Sequence, residues 1–316
     1  MLKLARYRSP RRGVPDLLPY AALFANGVVL CKDGSFLAGF SAHGPDTASS
    51  TDDELEYVSA QFNRAIKLLG TGWMIHVDAV RNRYKAYPPR EDCHFPDPIT
   101  QLIDDERRAY FGGDVYRTST VICLTFKPSL GSERLAASVH SGSSVRLMDR
   151  IYSSFEQTLL EFEDAVSSIL RLRRLVDVTV EEDGTDLVIF SELLSHIQLC
   201  VSGISPPVRV PRVPMYLDAL LGFEDLIGGL SPKIGDKNIA CLGIDGLPQE
   251  SWPAILSLLD GLNLSYRFST RFISLDQFDA QKEITSFRKG WQQNVHRMVD
   301  KFLVLPGFPW VAAVTN

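Results

Sequence analysis

Few side chains in this 316-residue sequence are spaced for chemistry. The six histidines, His43, His76, His94, His140, His196 and His296, include no His-Glu-x-x-His and no His-x-Glu pair, so metal-dependent hydrolysis is not indicated. No G-x-x-x-x-G-K-[ST] loop is present to cradle a phosphate, Gly70-Thr71-Gly72 lacks the third glycine of a dinucleotide fingerprint, and no G-x-S-x-G elbow occurs. Asp92-Cys93-His94 has the residue types of a metal or nucleophile site, but it sits among prolines and reads as a loop. Asp104-Asp105-Glu106 has the types for acid–base work; an acidic early helix is also what the helix dipole favours, so the expectation is a solvated face. Arg267 and Arg271 alternate along one strand with Ser265 and Ser269, on a face that would be wet and could grip a phosphate or a partner carboxylate. His76, Asp78 and Arg81 are the material for an enzyme site assembled from scattered residues; its sign would be a pocket of convergent titratable groups with shifted pKa values. No catalytic, cofactor-binding or metal-ligating residue is assigned from these patterns.

The elements that must position such residues follow from composition and periodicity. Hydrophobic residues make up 45% and charged residues 22%, enough for a sizeable core, and the length suits about two domains. The net charge of -5 argues against a dedicated nucleic-acid binder, which needs clustered Lys and Arg. The exception is an opening basic arm, residues 1–15, where Lys3, Arg6, Arg8, Arg11 and Arg12 precede any acid and prolines deny a regular helix. It is a solvated tail or a contact for an anionic membrane face or acidic partner. The five cysteines form no C-x-x-C pair; Cys31, Cys123 and Cys200 lie in apolar runs and read as small hydrophobes in a reducing cytoplasm. Neither a signal peptide nor a transmembrane helix is expected.

Along the chain, Lys32-Asp33-Gly34 between two apolar runs predicts a hairpin. Thr51 and Glu54 form a capping box that opens a helix with the stripe Leu55, Val58, Phe62, Ile66 and Leu69. Strands are expected at Trp73–Val80 and Tyr116–Phe126, and a helix at about Pro98–Phe111. Residues 128–145 are small and polar and read as a flexible surface loop. A long helix at about Leu147–Leu172 would place Arg171, Arg173 and Arg174 against the negative end of its dipole. Val176–Val180 reads as a strand, and Leu187, Phe190, Leu194, Ile197 and Val201 as one helix face ending at Gly203. Beyond Ser205-Pro206-Pro207, strands are expected at Ile239–Ile244 and Leu264–Leu275, the latter alternating like an antiparallel or edge strand. A helix is expected at Glu250–Leu259, and a last one runs from Asp276 towards Pro306 with Ile284, Phe287, Trp291, Val295, Met298 and Phe302 at helical spacing. The expected fold is α/β (α+β), with mixed or mainly antiparallel sheets packed by helices. It divides into a lobe at 1–203 and a second at 204–316 that ends in a long linker helix. Apolar residues persisting to the last positions lead us to expect a longer natural polypeptide.

Several segments together carry a family resemblance. They are Leu18-Pro19-Tyr20-Ala21-Ala22-Leu23, Gly27 to Phe36, Gly44-Pro45-Asp46, Leu69 to Trp73, Tyr216 to Gly222, Tyr266 to Asp276, and Phe287-Arg288-Lys289-Gly290-Trp291. In this order they resemble the start of TrbE-type proteins of the CagE/TrbE/VirB family of type IV secretion ATPases. The resemblance implies a hexamer-forming ATPase at the cytoplasmic face of the bacterial inner membrane, which powers pilus biogenesis and transfer of DNA or protein. In that family ATP and magnesium bind a C-terminal RecA-like motor whose phosphate loop has no counterpart here. The resemblance therefore implies a non-catalytic N-terminal module that docks on inner-membrane components and helps subunits associate. A self-contained enzyme and a nucleic-acid-binding adaptor remain as alternatives.

Overall fold

The computed structural model describes residues 13–45, 49–84, 87–112, 115–128, 143–182, 186–213, 215–243 and 255–302. Its strands are β1 (Tyr20–Ala25), β2 (Val28–Cys31), β3 (Phe36–His43), β4 (Trp73–Tyr84), β5 (Val115–Phe126), β6 (Arg171–Arg174), β7 (Asp177–Glu182), β8 (Asp186–Ser191), β9 (Val208–Arg209), β10 (Leu226–Ile227), β11 (Lys233–Ile234), β12 (Lys237–Asn238) and β13 (Tyr266–Ile273). Its helices are α1 (Val14–Leu17), α2 (Asp52–Ile66), α3 (Pro98–Phe111), α4 (Ser143–Val166), α5 (Glu192–Ser202), α6 (Leu217–Leu221) and α7 (Gln277–Phe302). The fold is mixed α/β, with antiparallel sheets. The chain to Ile273 is one unit, and Ser274 onward is another that contains α7.

The main sheet of the first unit has the order β1-β2-β3-β5-β4-β13, with β6 also paired to β3. Local chemistry fixes its turns. Gly27, between β1 and β2, holds φ at 67°, and a Cβ there would meet the Leu175 carbonyl oxygen at 2.4 Å, so only glycine fits. In the next turn Asp33 Oδ1 accepts hydrogen bonds from the Ser35 backbone N–H at 3.1 Å and hydroxyl at 2.6 Å, beside Gly34 at φ 82°. The capping box that opens α2 is reciprocal: Thr51 Oγ1 accepts from Glu54 N–H, and Glu54 Oε2 accepts from Thr51 N–H at 2.9 Å.

Strand alternation gives the sheet two unlike faces. Phe36, Ala38, Phe40, Trp73, Ile75, Ile122 and Leu124 point to one side, where α2 and α4 cover them with Ala65, Phe155, Leu159, Phe162 and Val166. Trp73 stacks on Phe155 with ring centroids 5.5 Å apart. Phe36, Phe40, Phe155 and Phe162 are fully buried, each contributing about 1.5–3 kcal/mol of transfer free energy. The other side carries Val29, Cys31 and Leu37 against Leu193, Leu194 and Ile197 of α5 and Leu217 and Leu221 of α6.

The expected hairpin, the capped helix, the helix at Pro98–Phe111 and the strands β4, β5 and β13 are all present. Other expectations are corrected. Arg171, Arg173 and Arg174 do not close a helix. α4 ends at Val166, and these residues form β6, in which Leu172 and Arg174 turn to the α4 side and Arg173 to the α5 side. Arg174 grips Glu156 of α4 through two bonds of 2.7 Å, and Arg173 reaches Glu192 of α5 at 2.7 Å. Leu187 and Phe190 belong to strand β8, which pairs with β7 and β9, and the helix begins only at Glu192, capped by Ser191. Residues 239–243 of the strand expected at Ile239–Ile244 follow the short β12 without regular structure, and residues 255–259 of the helix expected at Glu250–Leu259 fall in a 3-10 segment, Ile255–Gly261; residues 244–254 lie outside the described residues. Beyond the expected lobe boundary at Gly203, β13 returns to pair with β4 along its length. Lys3, Arg6, Arg8, Arg11 and Arg12 lie outside the described residues, as do positions 129–142 of the expected 128–145 loop.

In the second unit Asp276 immediately precedes α7, and its Oδ1 accepts from Asp279 N–H at 2.7 Å. Phe278, Ile284 and Phe287 on it are exposed.

The Glu156–Arg174 pair gives a test. Burial alone would raise the Glu156 carboxyl pKa, but hydrogen bonds and charge from Arg174, with help from Tyr152, hold it below its usual range. Its contribution is therefore present above the unfolded pKa and is lost as pH falls through the lower folded value. Glu156→Gln should cost about 1–3 kcal/mol at pH 7 in urea unfolding, with the difference from the parent chain shrinking as pH falls through the lowered folded value.

Candidate functional site

On the α5 side, the polar half of the sheet opens into a cavity of about 430 Å³. Antiparallel register fills it. His76 of β4 faces Cys123 of β5 on one side and Arg271 of β13 on the other, while Asp78 faces Val121 and Ser269. Cross-strand partners share a face, so His76, Asp78, Cys123, Arg267, Ser269 and Arg271 all lie on the α5 side. α5 closes the cavity with His196 and Cys200, four residues apart and thus one above the other on the helix. Gly39 lets that helix come close: a Cβ there would lie 2.9 Å from Leu193 Cδ1, 3.2 Å from Leu175 Cδ1 and 3.4 Å from Cys123 Sγ. Tyr20 and Cys31 also line it.

Asp78 is the centre of this arrangement. It is 6% exposed, and its Oδ2 lies 3.4 Å from His196 Nε2 and 3.8 Å from Cys200 Sγ. Cys200 Sγ is 3.5 Å from the same Nε2. Arg267 Nε, at the rim, stands 3.8 Å from Asp78 Oδ1. Burial would raise the Asp78 pKa, yet hydrogen bonds from His196 and Ser269 and the charge of Arg267 hold it below the ordinary carboxylate range. For His196, burial works against the imidazolium, but Asp78 together with Cys123 and Cys200 outweighs it and pushes the pKa up to about 12. His76 moves the other way: burial lowers it, reinforced by Arg271 and Arg267 and opposed by Asp78. Burial raises the Cys31 and Cys123 thiols and the Tyr20 phenol. The two histidines in this cavity are thus shifted in opposite directions.

Of the scattered candidates, His76 and Asp78 come together here. Arg81 does not line the cavity; its guanidinium lies 5.0 Å from the centroid of the Tyr116 ring. Arg267 and Arg271 share the partly wet face expected of them, and the carboxylate beside Arg267 is the chain's own Asp78. Asp92-Cys93-His94 lies at the end of a 3-10 turn, Arg90–Asp92, away from the cavity lining. Asp104 is not solvated as expected: it is buried, accepting from the Tyr87 hydroxyl at 2.5 Å and pairing with Arg108. Cys31 and Cys123 are buried among hydrophobic residues as expected, and together with Cys200 they also line this cavity. Sequence reasoning passed over His196 and Cys200. The available signal was the His-x-x-x-Cys spacing, which stacks two metal-ligating types on one face of an otherwise apolar helix. Among the described residues Asp78, His196 and Cys200 are the group placed to hold a metal ion together.

The burial of Asp78 makes its partners unequal. Asp78→Ala should cost about 3 kcal/mol in urea unfolding, because it leaves the buried His196 without its carboxylate partner, whereas Arg267→Ala at the exposed rim should cost less than about 1 kcal/mol.

Comparison with known proteins places this architecture. Residues 27–133 match the family described as the type IV secretion system ATPase VirB4/TrbE, N-terminal domain, and residues 179–302 match the CagE, TrbE, VirB family, component of type IV transporter system. A conjugal transfer protein TrbE of Rhizobium radiobacter is 41% identical over 308 residues, which cover 95% of this chain and 37% of that protein. Sinorhizobium fredii carries a probable conjugal transfer protein TrbE as two separate polypeptides. The first is 43% identical over 142 residues, 44% of this chain and 95% of the relative. The second is 40% identical over 148 residues, 46% of this chain and 22% of the relative. The chain thus spans little more than a third of the length of the Rhizobium protein but nearly all of the first Sinorhizobium polypeptide. With sequence segments, matched domains and relatives in agreement, this chain belongs to the CagE/TrbE/VirB family of type IV secretion proteins, on its TrbE conjugal transfer branch.

Proposed function

We propose that this chain is a non-catalytic docking and assembly module of a type IV secretion ATPase, peripheral to the cytoplasmic face of the inner membrane. In this reading ATP and magnesium act on a motor domain of the full-length protein, and the present residues seat that motor on inner-membrane components and on neighbouring subunits of a hexamer. The observation that carries the reading is a set of large apolar side chains left in solvent along the segment that carries the small sheet β10–β12. Phe223, Ile227, Leu230 and Leu242 are all exposed there, which suits a surface that meets another protein. No helix among the described residues is long and apolar enough to cross a membrane, which is compatible with peripheral attachment. The basic arm with Lys3, Arg6, Arg8, Arg11 and Arg12 would supply attraction to an anionic membrane face. Arg267 and Arg271 are secondary candidates for a partner's acidic group. With a net charge of -5, strong nucleic-acid binding does not belong to the proposal.

One observation favours a second reading, a self-contained enzyme: the cavity that gathers His76 and Asp78 with groups of shifted pKa. Turnover separates the two. The purified chain with magnesium and ATP should release no phosphate above a blank, and robust magnesium-dependent hydrolysis would overturn the docking reading. In donor-cell membranes, the double substitution Leu230→Asp and Leu242→Asp should lower the membrane-associated fraction by about tenfold without changing circular dichroism. Unchanged association would remove the exposed stretch from the docking surface.

A further inference from the structure

Three side chains drawn from β4 and α5, separated by as many as 122 positions, aim their donor atoms at a single point in the cavity. The sides of that triangle are 3.4 Å for His196 Nε2 to Asp78 Oδ2, 3.5 Å for Cys200 Sγ to His196 Nε2 and 3.8 Å for Cys200 Sγ to Asp78 Oδ2. A tetrahedral zinc ion bonds nitrogen and oxygen at about 2.0–2.2 Å and sulfur at about 2.3 Å, which sets its ligand atoms about 3.4 Å apart for an N–O edge and about 3.6 Å apart for edges to sulfur. Each side of the triangle matches its edge to within about 0.2 Å.

We propose that Asp78, His196 and Cys200 form a binding site for a thiophilic, tetrahedral divalent cation, zinc foremost, with the fourth position facing the cavity. The ligand set selects the ion: one thiolate and one imidazole disfavour magnesium and calcium, which require oxygen donors. Carboxylate and thiolate together supply two negative charges for a dication. Ligation needs the thiolate and the neutral imidazole, so the Cys200 thiol proton and any proton on Nε2 leave to solvent as the ion enters.

Two features point to a cation and away from a Cys-His-Asp nucleophilic relay. In a relay the thiol and the carboxylate must engage opposite ring nitrogens, so that the imidazole passes a proton between them. Here Cys200 and Asp78 both engage Nε2, so the ring offers no path between them. The second feature is independent of the triangle: Asp78 Oδ1 is buried without a hydrogen bond, on a residue that is only 6% exposed. A carboxylate with spare acceptor capacity out of water is suited to a metal. Arg267, 3.8 Å from that oxygen, and Ser269, across from Asp78 on β13, would orient the carboxylate from outside the site. The ion would tie α5 to the sheet at the point where Gly39 allows close approach.

The test uses the full chain, stripped with chelator and titrated with cobalt(II) as a visible surrogate for zinc. One equivalent should produce thiolate-to-cobalt charge transfer in the near ultraviolet and the strong visible bands of four-coordinate cobalt, both erased by one equivalent of zinc. Cys200→Ser should abolish the charge transfer and weaken binding by about 100-fold or more, while Cys241→Ser, at an exposed position, should leave both unchanged. Circular dichroism of each variant establishes that it is folded. Absence of the four-coordinate bands from the unsubstituted chain would overturn the proposal, whatever the fate of the variants. Persistence of the charge transfer in folded Cys200→Ser would also overturn it, because the thiolate would then come from elsewhere.

Discussion

A carboxylate held out of water on the face of a β-sheet is the constraint around which the first unit is organised. Isolated, the Asp78 charge would be prohibitively costly in that position, so the neighbouring elements must bring it partners. β13 contributes Arg267 and Ser269, and α5 contributes His196 and Cys200. The two elements come from distant regions of the chain, yet both are fixed by the same side chain. α5 reaches it because Gly39 carries no Cβ. The edge strand reaches it because eight consecutive residues of β13, Tyr266 to Ile273, pair with β4.

The two faces of the sheet divide the labour. The α4 side is an aromatic and aliphatic core in which stacked rings such as Trp73 and Phe155 exclude water, and it carries most of the burial. The α5 side is apolar only near β2 and β3, where Val29 and Leu37 meet Leu193 and Leu194. Towards β4 and β13 it turns polar and hollow. A single sheet thus supports a stable layer on one surface and leaves room on the other for groups that bind or signal, the usual division where a rigid scaffold carries a site.

Much of this was legible in the sequence wherever a local rule and the tertiary fold agree. The Asp33-Gly34 turn, the Thr51–Glu54 box, the helix at Pro98–Phe111 and the two-residue alternation of β13 each follow from chemistry within a few residues. Reading failed where tertiary partners decided between two plausible periods. Arg171 to Arg174 suit a helix end electrostatically, but Glu156 and Glu192 wait on opposite sides and select a strand. Leu187 and Phe190 fit a helical stripe until β7 offers them a ladder. The cavity was half visible: His76, Asp78 and Arg267 were singled out, while His196 and Cys200 were absorbed into an apolar helix because their partner on β4 is remote in sequence. The apparent break at Ser205-Pro206-Pro207 is a stretch without regular structure between α5 and β9, and strand pairing leaps over it.

That leap also has a consequence in time. The Arg83 backbone N–H bonds to the Ser265 hydroxyl across 182 positions, so the outer margin of β4 has no strand beside it until synthesis has moved well past Ile273. At about 5–20 residues per second, that margin waits roughly ten seconds or more on the ribosome, with its hydrogen-bonding groups open to any passing polypeptide. Nascent chains crowded on one polysome therefore run their greatest hazard of mispairing in this interval, and a chaperone that shields β4 would do most for yield.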